Sequence, residues 1–102
     1  YQVNIGRGVA GEPVGLHLDD WLAKGDEHDK IRRALKWNSL RIRIVESHIE
    51  VWLNGKQIVD FTNENPKTYL LKAVSIALQN YGAEAHSGWV KFRNMQLKDL
   101  SK

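Results

Sequence analysis

The sequence of 102 residues contains no cysteine. This absence excludes a disulfide framework and a thiolate metal site, and it fits a cytosolic protein and a bacterial periplasmic one equally well. The chain also lacks any apolar run near the roughly 20 residues that a membrane helix needs, so we expect no membrane span. It has no recognisable signal peptide and begins at Tyr1 without an initiator methionine. We therefore expect a mature piece or a fragment, with any export signal lying upstream.

The net charge of +3 is small, but basic residues concentrate in one segment. A surface that binds nucleic acid would also carry aromatic side chains on the face that holds the charges, and we do not find that combination on one face here. We expect a solvated helix end followed by the outward face of a strand, in preference to a phosphate-binding patch, and no nucleic-acid partner. The basic residues are Lys30, Arg32, Arg33, Lys36, Arg41 and Arg43.

Alternation of apolar and polar residues is the main structural signal, and it predicts short strands with one buried and one wet face. Asn54-Gly55 stands between two such runs and predicts a tight hairpin, since both residues tolerate a positive φ. Regularly spaced strands joined by turns indicate a sandwich or barrel. The predicted strands cover residues 1–5, 39–44, 48–53, 58–61, 74–79 and 90–95.

Residues 6–36 lack this alternation and are predicted as an irregular loop or helical insertion. Four glycines and Pro13 occupy its first part, whereas Asp19 and Asp20 ahead of Trp21 favour the start of a helical turn. We expect a short helical excursion around residues 19–36. The fold class is therefore an all-β antiparallel sandwich that is only partial, because so few strands cannot cover both inner faces. Either strands absent from this chain or a partner chain would complete it.

The order and spacing of several motifs resemble the 3-keto-disaccharide hydrolase family. The resemblance implies a concanavalin-A-like jelly roll of which residues 1–102 form the C-terminal half, in a bacterial periplasmic or secreted protein. Tyr81 stands where the family often carries histidine, so a proton-transfer role of that histidine does not carry over. The motifs are Tyr1-Gln2-Val3-Asn4-Ile5, Trp37-Asn38-Ser39-Leu40-Arg41-Ile42, Ile49-Glu50-Val51-Trp52-Leu53-Asn54-Gly55-Lys56, Val59-Asp60-Phe61, Ile76-Ala77-Leu78-Gln79-Asn80-Tyr81-Gly82 and Val90-Lys91-Phe92-Arg93-Asn94-Met95.

The function implied by the resemblance is cleavage of glycosides that are already oxidised at C3, by a hydrolase or lyase. A ketone at C3 acidifies the C2–H bond, so a general base can remove that proton, the C1–O bond breaks by elimination, and water adds back. The developing enolate needs hydrogen-bond donors, or a divalent metal in their place, although the sequence identifies no cofactor. Two alternatives stay open: a non-catalytic carbohydrate-binding module, and a half-sandwich interaction domain completed by another chain.

The candidate substrate-binding residues are amides and aromatic side chains on strands or at strand ends. Gln2 and Asn4 project together from the first strand, either toward sugar hydroxyls or simply into solvent. Trp52 either stacks on a sugar ring or packs against its own sheet. Gln79 and Tyr81 lie at the end of a later strand, and the resemblance makes Gln79 the best single candidate for contact with substrate.

Candidate catalytic residues come in same-side pairs. Glu84 and His86 lie in the loop from Tyr81 to Gly88, and loops at strand ends often carry catalytic groups. His48 and Glu50 project to one side of their strand, either as an acid–base pair or metal edge, or as solvated residues beside a hairpin corner. A third pair, His17 and Asp19, faces one side only if its segment is extended. We expect no metal site, because no cluster has a recognised metal-ligand spacing.

Overall fold

The computed structural model describes residues 1–5, 15–18, 20–26, 28, 30–33, 35–72, 76–78 and 91–100. The chain divides into two units, Tyr1–Leu71 and Lys72–Lys102. Among its described residues, the first unit is all-β apart from one short 3-10 helix, Thr68–Leu71, which confirms the predicted fold class. Its strands are β1 (Gln2–Asn4), β2 (Gly15–Leu18), β3 (Asp20–Ala23), β4 (Leu40–Val45), β5 (His48–Leu53) and β6 (Lys56–Thr62).

The first sheet has the order β1-β2-β3 with antiparallel pairing throughout. Its last two strands fall inside residues 6–36, and the helical turn expected from Asp20 is wrong, because Asp20–Ala23 is a strand. The Asp20 carboxylate still accepts a hydrogen bond of 2.7 Å from the Trp21 backbone N–H, the kind of local contact that suggested a helix start. Pairing with β2 and partial burial of residues 21–23 outweigh that weak local preference.

The described residues from 30 to 36 form bends and a turn, so the second expected helical turn is absent there too. Side chains take the backbone hydrogen bonds that a helix would have used. The Asp26 carboxylate accepts bonds of 2.9 Å from the backbone N–H groups of Lys30, Ile31 and Arg32. Because these donors converge on one carboxylate, the segment adopts a loop in place of a helix.

The second sheet has the order β4-β5-β6 and is built from two consecutive hairpins. Asn54 (φ 51°) and Gly55 (φ 83°) both have the positive φ values of a two-residue hairpin turn, which confirms the predicted hairpin. The β4–β5 connection is equally short, and there Glu46 adopts φ 54°. This conformation is unusual for a residue with a side chain.

The core of the first unit lies between the two sheets and is small. Leu16 from the first sheet packs with four residues of the second, and the inward face predicted for β5 is confirmed. The prediction that the apolar face of β4 is buried is wrong, since Ile42 and Ile44 are 45% and 52% exposed. β4 is one of the two edge strands of this sheet, and these two side chains lack the burial of their β5 partners Val51 and Ile49. The buried apolar residues of this core are Leu16, Ile49, Val51, Leu53 and Val59.

The second unit contains no strand among its described residues. Strands were predicted over residues 74–79 and 90–95, and this is wrong for residues 76–78 and 91–95. Their apolar side chains, including Ile76 and Met95, are mostly exposed. An alternating pattern becomes a strand only when a neighbouring strand supplies its hydrogen bonds. Over the described ranges of both units, no helix is long and apolar enough to cross a bilayer.

Candidate functional site

The outward side of the second sheet carries a continuous group of polar side chains, which we call the polar face. Alternation along β5 places His48, Glu50 and Trp52 on this side, opposite to the buried residues of the same strand. The flanking strands contribute basic side chains from β4 and amide and carboxylate side chains from β6. The polar face consists of Arg41, Arg43, His48, Glu50, Trp52, Gln57 and Asp60.

A bulge in β6 brings Asp60 onto the polar face. From the hairpin turn, Leu53 pairs with Lys56 and Trp52 with Gln57, but the register then shifts so that Val51 pairs with Val59. Ile58 is the extra residue. Since side chains alternate sides along a strand, the shift turns Asp60 to the side of Glu50, its new partner across the strands. Without the bulge Asp60 would pair with a buried position of β5.

His48 and Asp60 form the closest polar contact of this face. The Nε2 atom of His48 lies 2.6 Å from Oδ1 of Asp60. The side chains are 37% and 60% exposed, so the pair is open to solvent and to a ligand. Such a contact orients the imidazole ring and fixes which of its nitrogens faces the carboxylate.

Glu50 is the least exposed charged group of the polar face, with 16% of its side chain accessible. Its Oε2 atom lies 3.0 Å from Nη1 of Arg43, and its Oε1 atom accepts a hydrogen bond of 3.2 Å from Nε2 of Gln57. Both carboxylate oxygens therefore have a partner, one on each neighbouring strand. This arrangement holds the Glu50 side chain in place across the sheet.

Trp52 is half-buried, and its ring is covered by a cation. The guanidinium carbon of Arg41 lies 4.9 Å from the ring centroid, within range of a cation–π contact. Both alternatives for Trp52 therefore keep support: the ring packs against its own sheet through Arg41, and it still belongs to the solvent-facing side.

Three residues of the polar face offer ligand atoms of the types that metals bind. One atom each from His48, Glu50 and Asp60 lies within 4.8 Å of the others. Imidazole nitrogen and carboxylate oxygen are ligands for zinc and related divalent ions. The sequence does not show this grouping, because only Glu50 and His48 share a strand.

A separate open groove of about 420 Å³ lies beside the Asn54–Gly55 hairpin. The buried Asp26 contributes to it, but this carboxylate already accepts three backbone hydrogen bonds and holds the loop. Its role is therefore structural. The groove is lined by Gly25, Asp26, His28, Lys30, Ile31 and Lys56.

The residues predicted from the sequence are spread over the chain. Gln2 is exposed and Asn4 half-buried on β1, in the first sheet, whereas Trp52 lies in the second. Gln79, Tyr81, Glu84 and His86 lie outside the described residues. The structure thus groups His48 with Glu50, as their spacing predicts, but does not place Gln2 or Asn4 in the same sheet as Trp52.

The segment of His17 is extended, as its predicted pairing requires, but Asp19 is not among the described residues. The His17 ring instead makes an edge contact with Trp21, with ring centroids 5.2 Å apart. These two residues are partners across β2 and β3. Within the first sheet, His17 therefore serves packing.

Asp60, Gln57 and Arg43 are residues of this site that the sequence analysis missed. The signal that would have found Asp60 is the pair Ile58-Val59, two consecutive apolar residues in an otherwise alternating strand. Both pack toward the core, which is what a bulge allows. Counting pairs from the hairpin without the bulge puts Asp60 on the wrong side.

Comparison with known families, together with the all-β fold, indicates a carbohydrate-related β-sandwich. The model of the 3-keto-alpha-glucoside-1,2-lyase-like domain matches residues 2–98. The chain belongs to this family, which confirms the resemblance found in its motifs. No curated protein and no solved structure matches it.

Proposed function

We propose that this domain binds and cleaves glycosides that carry a ketone at C3 of the sugar. The family to which the chain belongs is named for a lyase-like activity on 3-keto-α-glucosides. The structural observation that supports the proposal is the open polar face, where carboxylate, amide, imidazole and indole groups lie side by side. These are the groups that hydrogen-bond sugar hydroxyls and pack on sugar rings.

The chemistry follows from the ketone. Removal of the C2 proton by a general base gives an enolate, the C1–O bond breaks, and the aglycone leaves with a proton from a general acid. Water then adds to the unsaturated sugar in a hydrolase, whereas a lyase releases the unsaturated product. Negative charge develops on the enolate oxygen when the C2 proton is removed, so this step depends most on electrostatic stabilisation.

Residues for substrate contact are proposed on two grounds. Trp52 belongs to the polar face and is next to Gln57 in the cross-strand register. Gln2 and Asn4 on β1, together with Gln79 and Tyr81, follow from the family resemblance and the strand pattern. Each of the five side chains predicted to contact substrate is open to a separate test by substitution.

Glu84 and His86 remain our proposal for the acid–base groups. Their side-chain types support it, since a carboxylate and an imidazole are the commonest general acids and bases. We expect Glu84→Gln and His86→Gln each to lower the cleavage rate by roughly 10²–10⁴-fold, the usual contribution of a positioned acid or base. Glu64→Gln, which changes an exposed loop carboxylate, is the matched control and should leave the rate unchanged.

The experiment is incubation of the full chain with an aryl 3-keto-glucoside, following release of the phenol. The unoxidised aryl glucoside is the control substrate, since its C2–H bond is not acidified and it should not react. Exchange of the C2 proton with deuterium from D2O separates the deprotonation step from cleavage. If the intact chain neither releases phenol nor exchanges that proton, the proposed enzyme function is wrong.

A non-catalytic sugar-binding module is the second candidate, and the openness of the polar face favours it. Catalytic sites usually exclude water, whereas the polar face does not, since its His48 and Asp60 side chains are substantially exposed. Binding of the 3-keto-glucoside without release or exchange would establish this alternative. Loss of that binding in Trp52→Ala would place the ligand on the polar face.

For location, we propose a bacterial periplasmic or secreted protein. Membership of a carbohydrate-related family supports this proposal, and the absence of cysteine is compatible with it. Expression of the complete gene product, followed by fractionation of cytoplasm, periplasm and medium, tests it. Recovery in the cytoplasm alone would contradict it.

A further inference from the structure

We propose that His48, Glu50 and Asp60 form a binding site for a divalent transition-metal cation, with Zn²⁺ or Mn²⁺ as the class of ion. This inference does not depend on the enzymatic proposal, since it concerns only the described residues of the second sheet. It rests on the ligand atoms, on the strand register and on the charges around them.

The ligand atoms converge without any change of backbone. One nitrogen and two carboxylate oxygens lie within 4.8 Å of one another. Ligand atoms that bind one zinc ion, each at about 2.0–2.2 Å from it, are separated from one another by somewhat less than this distance. The 2.6 Å contact of His48 with Asp60 shows that two of the ligands already point at the same space. Small side-chain rotations would open that contact enough to admit an ion.

The strand register provides an independent argument. Glu50 and Asp60 are direct partners across β5 and β6, and like charges directly opposite one another destabilise a sheet. The bulge at Ile58 creates this like-charge pair, since a regular β6 would turn Asp60 to the other side. A cation between the two carboxylates would remove the repulsion that the register imposes.

The chemistry of the ligands selects the ion. Imidazole favours zinc and neighbouring transition metals, whereas Mg²⁺ and Ca²⁺ prefer sites made entirely of oxygen. Three protein ligands leave at least one coordination position open to water or to a substrate oxygen, as in catalytic zinc sites. We therefore expect Zn²⁺ and Mn²⁺ to bind more tightly than Mg²⁺.

Arg43 is the competitor for this site. Its guanidinium holds Glu50 at 3.0 Å and adds a positive charge beside the place where the ion would sit. A bound cation must draw one Glu50 oxygen away from Arg43 or share the carboxylate with it. Removing Arg43 should therefore tighten metal binding. A non-specific association with surface carboxylates would not depend in this way on the one arginine that contacts Glu50.

The test is titration of the metal-free full chain with ZnCl₂, MnCl₂ and MgCl₂ by calorimetry, in a buffer that does not bind metals. We expect one Zn²⁺ site, weakened at least tenfold by His48→Gln and by Asp60→Asn. Glu50→Gln should weaken binding as well, and Arg43→Gln should strengthen it several-fold. The matched controls His28→Gln and Glu64→Gln change an exposed histidine and an exposed carboxylate elsewhere and should have no effect.

Variants on β5 can disturb folding, so the wild-type chain supplies a second measurement. Paramagnetic Mn²⁺ should broaden the NMR signals of residues 48–50 and 60 before those of residues 2–4. The proposal is overturned if no Zn²⁺ binds below millimolar concentration, if His48→Gln and Asp60→Asn bind as wild type does, or if broadening centres elsewhere. Phenol release plays no part in these outcomes, so failure here leaves the enzymatic proposal to its own test.

Discussion

The side-chain amide of Asn54 donates a hydrogen bond of 2.9 Å to the side-chain oxygen of Asn38. Asn54 also donates to the Ile31 carbonyl at 3.0 Å and accepts from the Ser39 N–H at 2.9 Å. It therefore fixes the hairpin turn and joins that turn to the loop before β4. Two asparagines that stand out in the family motifs are thus structural residues.

Asn38 uses its amide just as fully. Its nitrogen donates to the carbonyls of Arg33 and Lys36, at 2.8 and 2.9 Å, and its oxygen accepts from the Arg33 N–H at 2.8 Å as well as from Asn54. Both donors and both lone pairs of the amide are satisfied. The loop over residues 31–38 is held by side chains where regular backbone pairing is lacking.

The first prediction concerns Asn54. Asn54→Ala should lower the free energy of unfolding by about 3 kcal/mol, because it removes hydrogen bonds and puts alanine at a positive φ. Asn54→Gly keeps the favourable φ and should cost about 1 kcal/mol less. Urea unfolding followed by tryptophan fluorescence measures both. Equal losses for the two variants would show that the backbone conformation contributes nothing.

The second prediction concerns Asp26, a carboxylate that is only 4% exposed. Asp26→Asn should lower the free energy of unfolding by about 2–3 kcal/mol, because an amide presents N–H groups to backbone donors and loses charge-assisted bonds. The exposed Asp60 provides the control, and Asp60→Asn should cost under about 1 kcal/mol. Hydrogen exchange at residues 30–32 should accelerate in Asp26→Asn alone. Unchanged exchange there would contradict the assignment.

Alternation of residues was enough to predict β5 and the hairpin that follows it. The buried positions Ile49, Val51 and Leu53 recur with the period of a strand, and Asn54-Gly55 has few alternatives to a tight turn. Both signals are local, so they do not depend on which elements surround the strand. This is why the structure confirms them.

Other features depend on neighbours and could not be predicted in that way. β3 forms because β2 offers it a pairing edge, which overrides the helix-start signal at Asp20. The apolar side of β4 stays exposed although its residues alternate as regularly as those of β5. Asp60 lies on the polar face because of a one-residue bulge, and a one-residue shift reverses the side of every following residue.

The third prediction uses the close approach of Trp21 to Gly15. A Cβ atom on Gly15 would lie 2.9 Å from Cζ3 of Trp21 and 3.1 Å from the Ala23 carbonyl oxygen. Gly15→Ala should therefore cost about 1–3 kcal/mol in the free energy of unfolding, through overpacking. The loss should shrink when Trp21→Leu is combined with it, since the smaller side chain makes room. Gly55→Ala serves as the control.

Gly55 lies in open space, with φ 83°, so alanine there is disfavoured by the backbone and not by contact. The destabilisation by Gly55→Ala should be the same in the wild-type chain and in the Trp21→Leu variant. A double-mutant cycle by urea unfolding gives both coupling energies. A Gly15→Ala cost that is independent of Trp21 would contradict the prediction and assign the overpacking to the Ala23 carbonyl oxygen.

The fourth prediction is a stabilising substitution in the β4–β5 turn. Glu46 adopts φ 54°, which costs a residue with a side chain about 1–2 kcal/mol relative to the right-handed region. Glycine removes that cost but loses more backbone freedom on folding, about 0.5–1 kcal/mol. We expect Glu46→Gly to raise the free energy of unfolding by about 0.5–1 kcal/mol.

Glu46→Ala separates this backbone effect from the removal of a charge, because alanine lacks the carboxylate yet keeps the unfavourable φ. Its stability should stay at or below that of the wild type, and an equal gain in both variants would assign the effect to charge. Because residue 46 supplies none of the proposed metal ligands and glycine keeps the turn conformation, the Glu46→Gly variant should leave the Zn²⁺ affinity proposed for the polar face unchanged.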